Sequence, residues 1–148
     1  MSIFTSFDIN ASGMTAQRYR MDVISGSVAN ADTTRTEDGT PYRRKVVTFQ
    51  QKGEKVGSFS SVFGKASDAY KGQGVRVSKV SQDTWTEMIK AYDPSHPDAD
   101  ENGYVRYPNV NTVTEMTNLI DASRAYEANT TAFNASKSMI QAALKIGQ

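Results

Sequence analysis

The chain has no cysteine, and this absence excludes several kinds of chemistry. A disulfide framework, a thiolate nucleophile and a cysteine-based zinc site all need the side chain that is missing. There is also a single histidine, His96, which leaves a catalytic triad or a histidine-rich metal site without the partners it needs. We therefore expect no catalytic site and no metal centre, and we interpret His96 as a turn residue.

Apolar residues and charge of one sign are also scarce. Hydrophobic residues make up 38% of the 148 positions and aromatic residues 9%, which allows a small core but not a large one. Lys and Arg number 17 against 16 Asp and Glu, so the basic excess of a nucleic-acid-binding protein is missing. No apolar run approaches the roughly 18 residues that span a bilayer, and no signal peptide is predicted. We expect no nucleic-acid partner and no direct membrane span.

Apolar residues repeat every seven positions near both ends of the chain, which predicts two long helices that pack along other helices. The predicted helices cover residues 1–34 and 109–148. Their stripes contain Ile3, Phe7, Met14, Met21, Ile24 and Val28 in the first, and Leu119, Tyr126, Phe133 and Ile140 in the second. Gly13 and Gly26 each cost the first helix about 1 kcal/mol relative to Ala, so we do not expect it to be stable alone.

The segment between the helices, residues 35–108, is rich in β-branched residues, Gly, Ser and Lys. Strands are predicted at Arg44–Gln50, Gly74–Val80, Thr84–Tyr92 and Tyr104–Tyr107. Residues 51–73 are predicted to form a flexible loop. The expected fold class is therefore α+β: two long terminal helices in a coiled-coil-like hairpin, with a small β-rich middle segment.

The second helix carries more apolar surface than one helical partner can cover. Beside its aromatic stripe runs a stripe of small side chains, namely Ala125, Ala128, Ala132, Ala135, Met139 and Ala142. Large and small stripes on adjacent faces indicate close packing on more than one side. Either the β segment covers the second stripe within the chain, or other copies cover it. Periodicity alone leaves both open.

Three ordered motifs resemble known proteins. Residues 11–34 carry Ser12, Gly13, Met14, Ala16, Gln17, Arg20, Met21, Ala29, Asn30 and Thr33, which resemble the N-terminal signature of bacterial flagellar axial proteins. Residues 93–111, DPSHPDADENGYVRYPNVN, and residues 122–140, ASRAYEANTTAFNASKSMI, resemble the proximal rod protein of the FlgC type in the flagellar basal-body rod family. The resemblance spans nearly the whole chain and is weakest over residues 51–73. Gly26 and Ser27 depart from it, since members often have Asn there.

The resemblance implies a structural subunit of the proximal rod, the drive shaft of the flagellum. It implies that residues 1–34 and 109–148 form an inner tube layer and residues 35–108 an outer segment. The implied partners are proximal and distal rod proteins, a rod-base adaptor protein and the flagellar type III export apparatus. The implied location is the basal-body rod, which is periplasmic after export without a cleaved signal.

The resemblance also assigns interface roles to particular residues. We expect subunit contacts along the helices at Ile3, Phe7, Met14, Met21, Ile24, Val28, Asn30, Leu119, Tyr126, Asn129, Phe133 and Ile140. A loop is expected to contribute Asp93, Asp98, Asp100, Asn109 and Asn111.

Two other interpretations compete with the rod subunit. Residues 98–103 match the first half of a calcium-binding loop, but position twelve is Asn109 where a bidentate acid is needed, so a polar turn is favoured. The alternative function is a soluble helical-hairpin adaptor module that grips one partner helix.

Overall fold

The computed structural model describes residues 3–52 and 73–146, with side chains described over 4–52 and 73–145. Along the sequence, one long helix lies near each end and four short strands lie between them. The elements are α1 Ile3–Ala29, β1 Lys45–Gln51, β2 Val75–Gln82, β3 Ile89–Tyr92, β4 Tyr104–Tyr107 and α2 Thr112–Ile146. The predicted α+β class is confirmed. Most of the predicted loop, residues 53–72, lies outside the described residues, as does the side chain of Ile3.

Helix α1 ends at Ala29, so the prediction that it extends to residue 34 was wrong. Asn30 begins a turn in which its side-chain amide donates a 2.8 Å hydrogen bond to the carbonyl of Gly26. The hydroxyl of Thr33 in turn donates to the side-chain oxygen of Asn30 at 3.1 Å. The Asn30 amide thus occupies the Gly26 carbonyl, which would otherwise accept a backbone N–H of the helical ladder, and Thr33 holds that amide in place.

Helix α2 begins at Thr112 and not at residue 109 as predicted. Asn111 is its N-cap, because its side-chain oxygen accepts the backbone N–H of Thr114 at 3.1 Å. Its carbonyl accepts the N–H of Glu115 at 2.9 Å, which is the first helical bond. The preceding residues, Pro108 to Val110, are buried in irregular backbone.

The strands form two separate two-stranded sheets, β1 with β2 and β3 with β4. The second pair is antiparallel, and its register places Lys90 opposite Arg106 and Tyr92 opposite Tyr104. The prediction of a strand from Thr84 was wrong as far as residue 88. The reason lies in Asp83, whose side-chain oxygen accepts two backbone N–H groups beyond it and bends the chain into a turn.

The chain divides into two compact units. The first, here the terminal unit, contains Met1–Tyr19, Phe49–Ser78 and Ser123–Gln148; the second, the middle unit, contains Arg20–Thr48 and Lys79–Ala122. Each long helix therefore contributes residues to both units. The expected division into inner helices and an outer β segment concerns an assembled tube and stays a prediction.

Buried apolar side chains are few and small, as the composition predicts. Among the described residues they are Ala16 in the terminal unit, and Ile24, Val105, Pro108, Val110 and Ala122 in the middle unit. No helix in the described ranges has an apolar stretch long enough to cross a bilayer.

Candidate assembly surfaces

Helices α1 and α2 pack against each other in the terminal unit through the predicted large stripes. The rings of Phe7 and Phe133 meet edge to face, with centroids 4.7 Å apart and planes at 72°. About two turns further along α1, the sulfur of Met14 lies 3.4 Å from the hydroxyl of Thr130. The residue numbers rise along α1 as they fall along α2, so the helices are antiparallel in this unit.

Small residues allow two close approaches in the terminal unit. A Cβ on Gly13 would lie 2.6 Å from the side-chain oxygen of Asn129, so only glycine fits beside that amide in its present position. A Cβ on Gly74 would overlap the hydroxyl of Ser12. That hydroxyl donates to the carbonyl of Ile9 at 2.7 Å and accepts the N–H of Val75 at 3.0 Å, which fastens the start of β2 to α1.

The predicted helix stripes face the interior of the chain to different degrees. Ile24 is buried, and the other described members of both stripes are half-buried: Phe7, Met14, Met21, Val28, Asn30, Leu119, Tyr126, Asn129, Phe133 and Ile140. The structure brings Phe7 together with Phe133. Each of these side chains is partly or fully covered within the chain, and a subunit contact by any of them stays a prediction.

The neighbouring alanine stripe of α2 is largely uncovered. Ala125 is half-buried, whereas Ala128, Ala132, Ala135, Met139 and Ala142 are exposed. Large apolar side chains on the same helix are exposed as well: Val113 by 73%, Met116 by 58% and Ile120 by 53% in the middle unit, and Met139 by 66% and Leu144 by 69% in the terminal unit. Val113, Met116, Ile120 and Met139 thus lie with the alanine stripe on one uncovered face of α2, whereas Leu144, four residues after Ile140, lies in line with the aromatic stripe.

A buried polar cluster joins three segments of the middle unit. Glu115 on α2 is only 1% exposed, and its carboxylate accepts a 2.7 Å hydrogen bond from the guanidinium of Arg44. The same guanidinium lies 3.7 Å from the carboxylate of Asp83. A carboxylate this deeply buried requires such a partner, because an unpaired charge there is very costly.

Asn109 completes this cluster from the turn before α2. Its side-chain oxygen accepts the N–H of Arg44 at 2.9 Å, and its amide group donates to the carbonyls of Asp83 and Thr86. Asn109 is itself buried. Its side chain is therefore engaged inside the middle unit, and the expected subunit contact at this position stays a prediction.

Arg44 and Glu115 were not predicted to be members of a site. One signal could have found them: Glu115 lies on the stripe that continues through Leu119, Ala122 and Tyr126, where each spacing is three or four residues. A charged residue within an apolar stripe needs a buried partner of opposite charge.

The remaining predicted loop residues form hydrogen-bonded turns. Asp98 accepts a 2.8 Å bond from the hydroxyl of Thr34, and its other oxygen lies 3.7 Å from the guanidinium of Arg35. Asp100 accepts the backbone N–H groups of Asn102 and Tyr104, both at 2.9 Å. The half-match to a calcium loop thus folds as a polar turn, and no group of metal-binding side chains converges in the described ranges.

Two aspartates in these turns have lowered pKa values. The pKa of Asp83 lies below its ordinary value of 3.8, chiefly because its carboxylate accepts the backbone N–H and then the hydroxyl of Thr86. The pKa of Asp93 is lowered mainly by the hydroxyl of Ser95 and then by the backbone N–H of the same residue. Hydrogen bonds to the ionised form favour that form, so both turns are strongest when these aspartates are charged.

Comparison with known proteins identifies the family of the chain. The family model described as flagella basal body rod protein matches residues 7–35, and that of the flagellar basal body rod FlgEFG protein C-terminal matches residues 101–146. The flagellar basal-body rod protein FlgC of Bacillus subtilis is 46% identical, with all of both chains covered. The chain belongs to the FlgC family of flagellar basal-body rod proteins. The FlgC proteins of Borreliella burgdorferi and Salmonella typhimurium are 46% and 40% identical, with all of this chain and at least 99% of each relative covered.

The two regions matched by the family models contain nearly all of α1 and all of α2. These are the helices that meet at Phe7 and Phe133, and α2 also carries the uncovered face. The family consists of rod proteins, so the chain is a structural subunit of the flagellar basal-body rod.

Proposed function

We propose that the chain assembles into the proximal rod through its two terminal helices, and that neighbouring rod subunits cover the outer face of α2. The proposed neighbours are proximal and distal rod proteins and the adaptor protein at the rod base. We further propose that the subunit reaches a periplasmic position through the flagellar type III export apparatus, without a cleaved signal. Support for these steps comes from family membership.

The observation that carries the helix-mediated assembly is the uncovered face of α2. Four large apolar side chains on this face, Val113, Met116, Ile120 and Met139, are more than half exposed, and the exposed alanines lie beside them. Full burial of a large apolar side chain is worth about 1.5 to 3 kcal/mol. Small side chains beside large ones allow helix backbones to approach closely. Such a face favours contact with another helix over contact with water.

A charge placed on the alanine stripe tests this proposal. We expect Ala132→Glu to leave the isolated subunit intact, because Ala132 is exposed and exposed substitutions usually change stability by less than about 0.5 kcal/mol. The same variant should block assembly, because the new carboxylate would be buried without a partner. The assay is complementation of a strain lacking the gene, scored by hooks and filaments under the electron microscope.

Asn134→Glu is the matched control, since Asn134 is exposed on α2 but lies off the alanine stripe. It should support normal assembly and the same melting temperature as the parent chain. Normal hooks and filaments with Ala132→Glu would rule out the alanine stripe as a subunit contact.

A further inference from the structure

The β3–β4 hairpin in the middle unit presents one fully exposed face. Side chains alternate between the two faces of a sheet, and the register pairs Lys90 with Arg106 and Tyr92 with Tyr104 on the same side. All four are exposed, whereas Val105 on the opposite face is completely buried. The tyrosine rings meet edge to face, with centroids 5.3 Å apart. The exposed face therefore combines two cations with a fixed aromatic pair.

The two cations on this face lie directly opposite each other on neighbouring strands. Like charges at paired positions of an antiparallel sheet destabilise it. Neither Lys90 nor Arg106 forms an ion pair within the described ranges. An anionic group arriving from outside the chain would relieve this repulsion, so the arrangement favours a carboxylate-bearing partner.

Trp85 adds a large apolar anchor next to these cations. Its side chain is 95% exposed, the highest value among the large apolar residues that the structure describes. Its backbone is nevertheless held, because Asp83 accepts the N–H of Trp85 at 3.1 Å and Asn109 bonds the carbonyls of Asp83 and Thr86 on both sides of it. A side chain displayed on an ordered backbone loses less entropy on binding.

Trp85, Lys90 and Arg106 line one cleft of about 460 Å³. Arg43 and Glu87 also line it, so three cations face one carboxylate. Trp, Tyr and Arg are the residue types that dominate binding energy at protein interfaces. We call Trp85, Lys90, Tyr92, Tyr104 and Arg106 the hairpin face.

An acidic loop adjoins the hairpin face in the same unit. Asp100 and Glu101 are exposed, and Asp100 lines a second cleft that shares Thr40, Pro41 and Arg106 with the first. Basic and acidic surfaces thus lie side by side. A copy displaced along the line joining them would place its acidic loop against the hairpin face of its neighbour.

We propose that the hairpin face binds the acidic loop, residues 98–101, of a second copy of this chain. The contact is head-to-tail, with different surfaces on the two copies, and repeating it extends an open array instead of closing a pair. This deepens the proposed function, on which it rests, by adding a contact that does not use the terminal helices.

Cysteine cross-linking tests the contact without background from native thiols of the subunit, because the chain contains no cysteine. One copy carries Glu87→Cys beside the cations and the other carries Asn102→Cys beside the acidic loop, so every proposed contact residue is retained. Both are expressed, with different tags, in cells lacking the native gene and treated with a short bis-maleimide. We expect a mixed dimer at roughly ten times the yield of a control pair, Glu87→Cys with Asp22→Cys, as for an interface with one strong anchor.

Charge reversal then tests specificity. Lys90→Glu in the first copy should lower the mixed-dimer yield roughly tenfold, as should Glu101→Lys in the second copy, and the two together should restore it. Trp85→Ala should lower it as well. Melting temperatures of the purified variants establish that each one folds.

Equal yields from the test and control pairs would overturn the proposal, and so would a loss with Lys90→Glu that Glu101→Lys does not repair. If the cells that express the cysteine variants still swim, rod assembly is intact and only the contact at the hairpin face is disproved. Normal rods and swimming in cells that lack the gene altogether would instead contradict the proposed function.

Discussion

Gly74 and Gly26 show how one residue type has two different roles in this chain. At Gly74 a side chain would collide with Ser12, which fastens β2 to α1 in the terminal unit. At Gly26, inside α1, no atom lies within 4 Å of the place a Cβ would take. The first glycine is required by packing, whereas the second only weakens its helix.

We expect Gly74→Ala to destabilise the chain by about 1 to 3 kcal/mol, because the added Cβ forces Ser12 away from its hydrogen bonds. Gly26→Ala, the matched control, should stabilise it by about 0.5 to 1 kcal/mol through helix propensity. Urea unfolding followed by circular dichroism measures both. A stable Gly74→Ala chain would mean that Ser12 does not hold β2.

The buried ion pair of Arg44 and Glu115 provides a second test by substitution of single residues. Arg44→Ala should cost about 2 to 4 kcal/mol, at the lower end for a buried pair because the Arg44 side chain is 28% exposed. The double variant Arg44→Met with Glu115→Leu should be less destabilised than Arg44→Ala alone, since the most deeply buried carboxylate, that of Glu115, is then no longer left unpaired. A double-mutant cycle in urea gives both values, and strict additivity would show that the two charges are not coupled.

Single residues were the least predictable part of the site. Asn111 and Asn30 carry recognisable helix-end chemistry, and both were expected at subunit contacts; the structure shows them also capping helices. Arg44 was assigned to a strand because its neighbours are β-branched. Its true partner, Glu115, is 71 positions away, and no local pattern encodes that pairing.

At the level of elements, both helices and all four strands were predicted, and the errors lie at their ends. The heptad stripes extend over many turns, so the existence and type of the helices followed from periodicity, and the helix ends were wrong by three to five residues. The strand predicted at Thr84–Tyr92 was interrupted by a turn, because the side chain of Asp83 competes with the β ladder for backbone N–H groups. Apolar content alone does not reveal that competition.

Two turns, those of Asp83 and Asp93, should make the stability of the folded chain depend on pH in the acid range. The pKa values of Asp83 and Asp93 are lowered in the folded chain, so both groups stabilise it above their ordinary value of 3.8. That contribution is lost as the pH falls below 3.8 and through the lower folded values. Unfolding free energy measured in urea between neutral pH and pH values below 3.8 should therefore fall at the acid end.

Asp83→Asn isolates the first of these turns. Asparagine keeps an oxygen that accepts the same N–H groups but does not titrate. The variant should lose part of the acid-dependent slope, whereas Glu87→Gln, an exposed acid in the same segment, should keep it. An unchanged slope with Asp83→Asn would assign the acid sensitivity to other carboxylates.

At the scale of the whole molecule, the sequence predicted the class and the family. Heptads at both ends, a β-rich middle and three ordered motifs sufficed for that. It did not predict that each long helix contributes to two compact units, because that division depends on contacts between distant segments such as Arg44 with Glu115. Nor did it predict the hairpin face, since Lys90 and Arg106 become neighbours only through strand register.

Deletion of the gene should stop flagellar assembly at the rod. Cells without a rod subunit have nothing on which a hook can be built, so hooks and filaments should both be absent. Electron microscopy and a swimming assay measure this, with the unaltered gene on a plasmid as the control. Normal motility in the deletion strain would contradict the rod function.

The bonds around Asn109 have a consequence for how the chain matures during synthesis. They join its side chain to the backbone of Arg44, 65 positions earlier, and Arg44 in turn reaches Glu115. The ribosome makes residue 44 long before residue 115, and contacts of such separation are slow to form because a large loop must close first. The middle unit therefore cannot complete its fold until about three quarters of the polypeptide has left the exit tunnel.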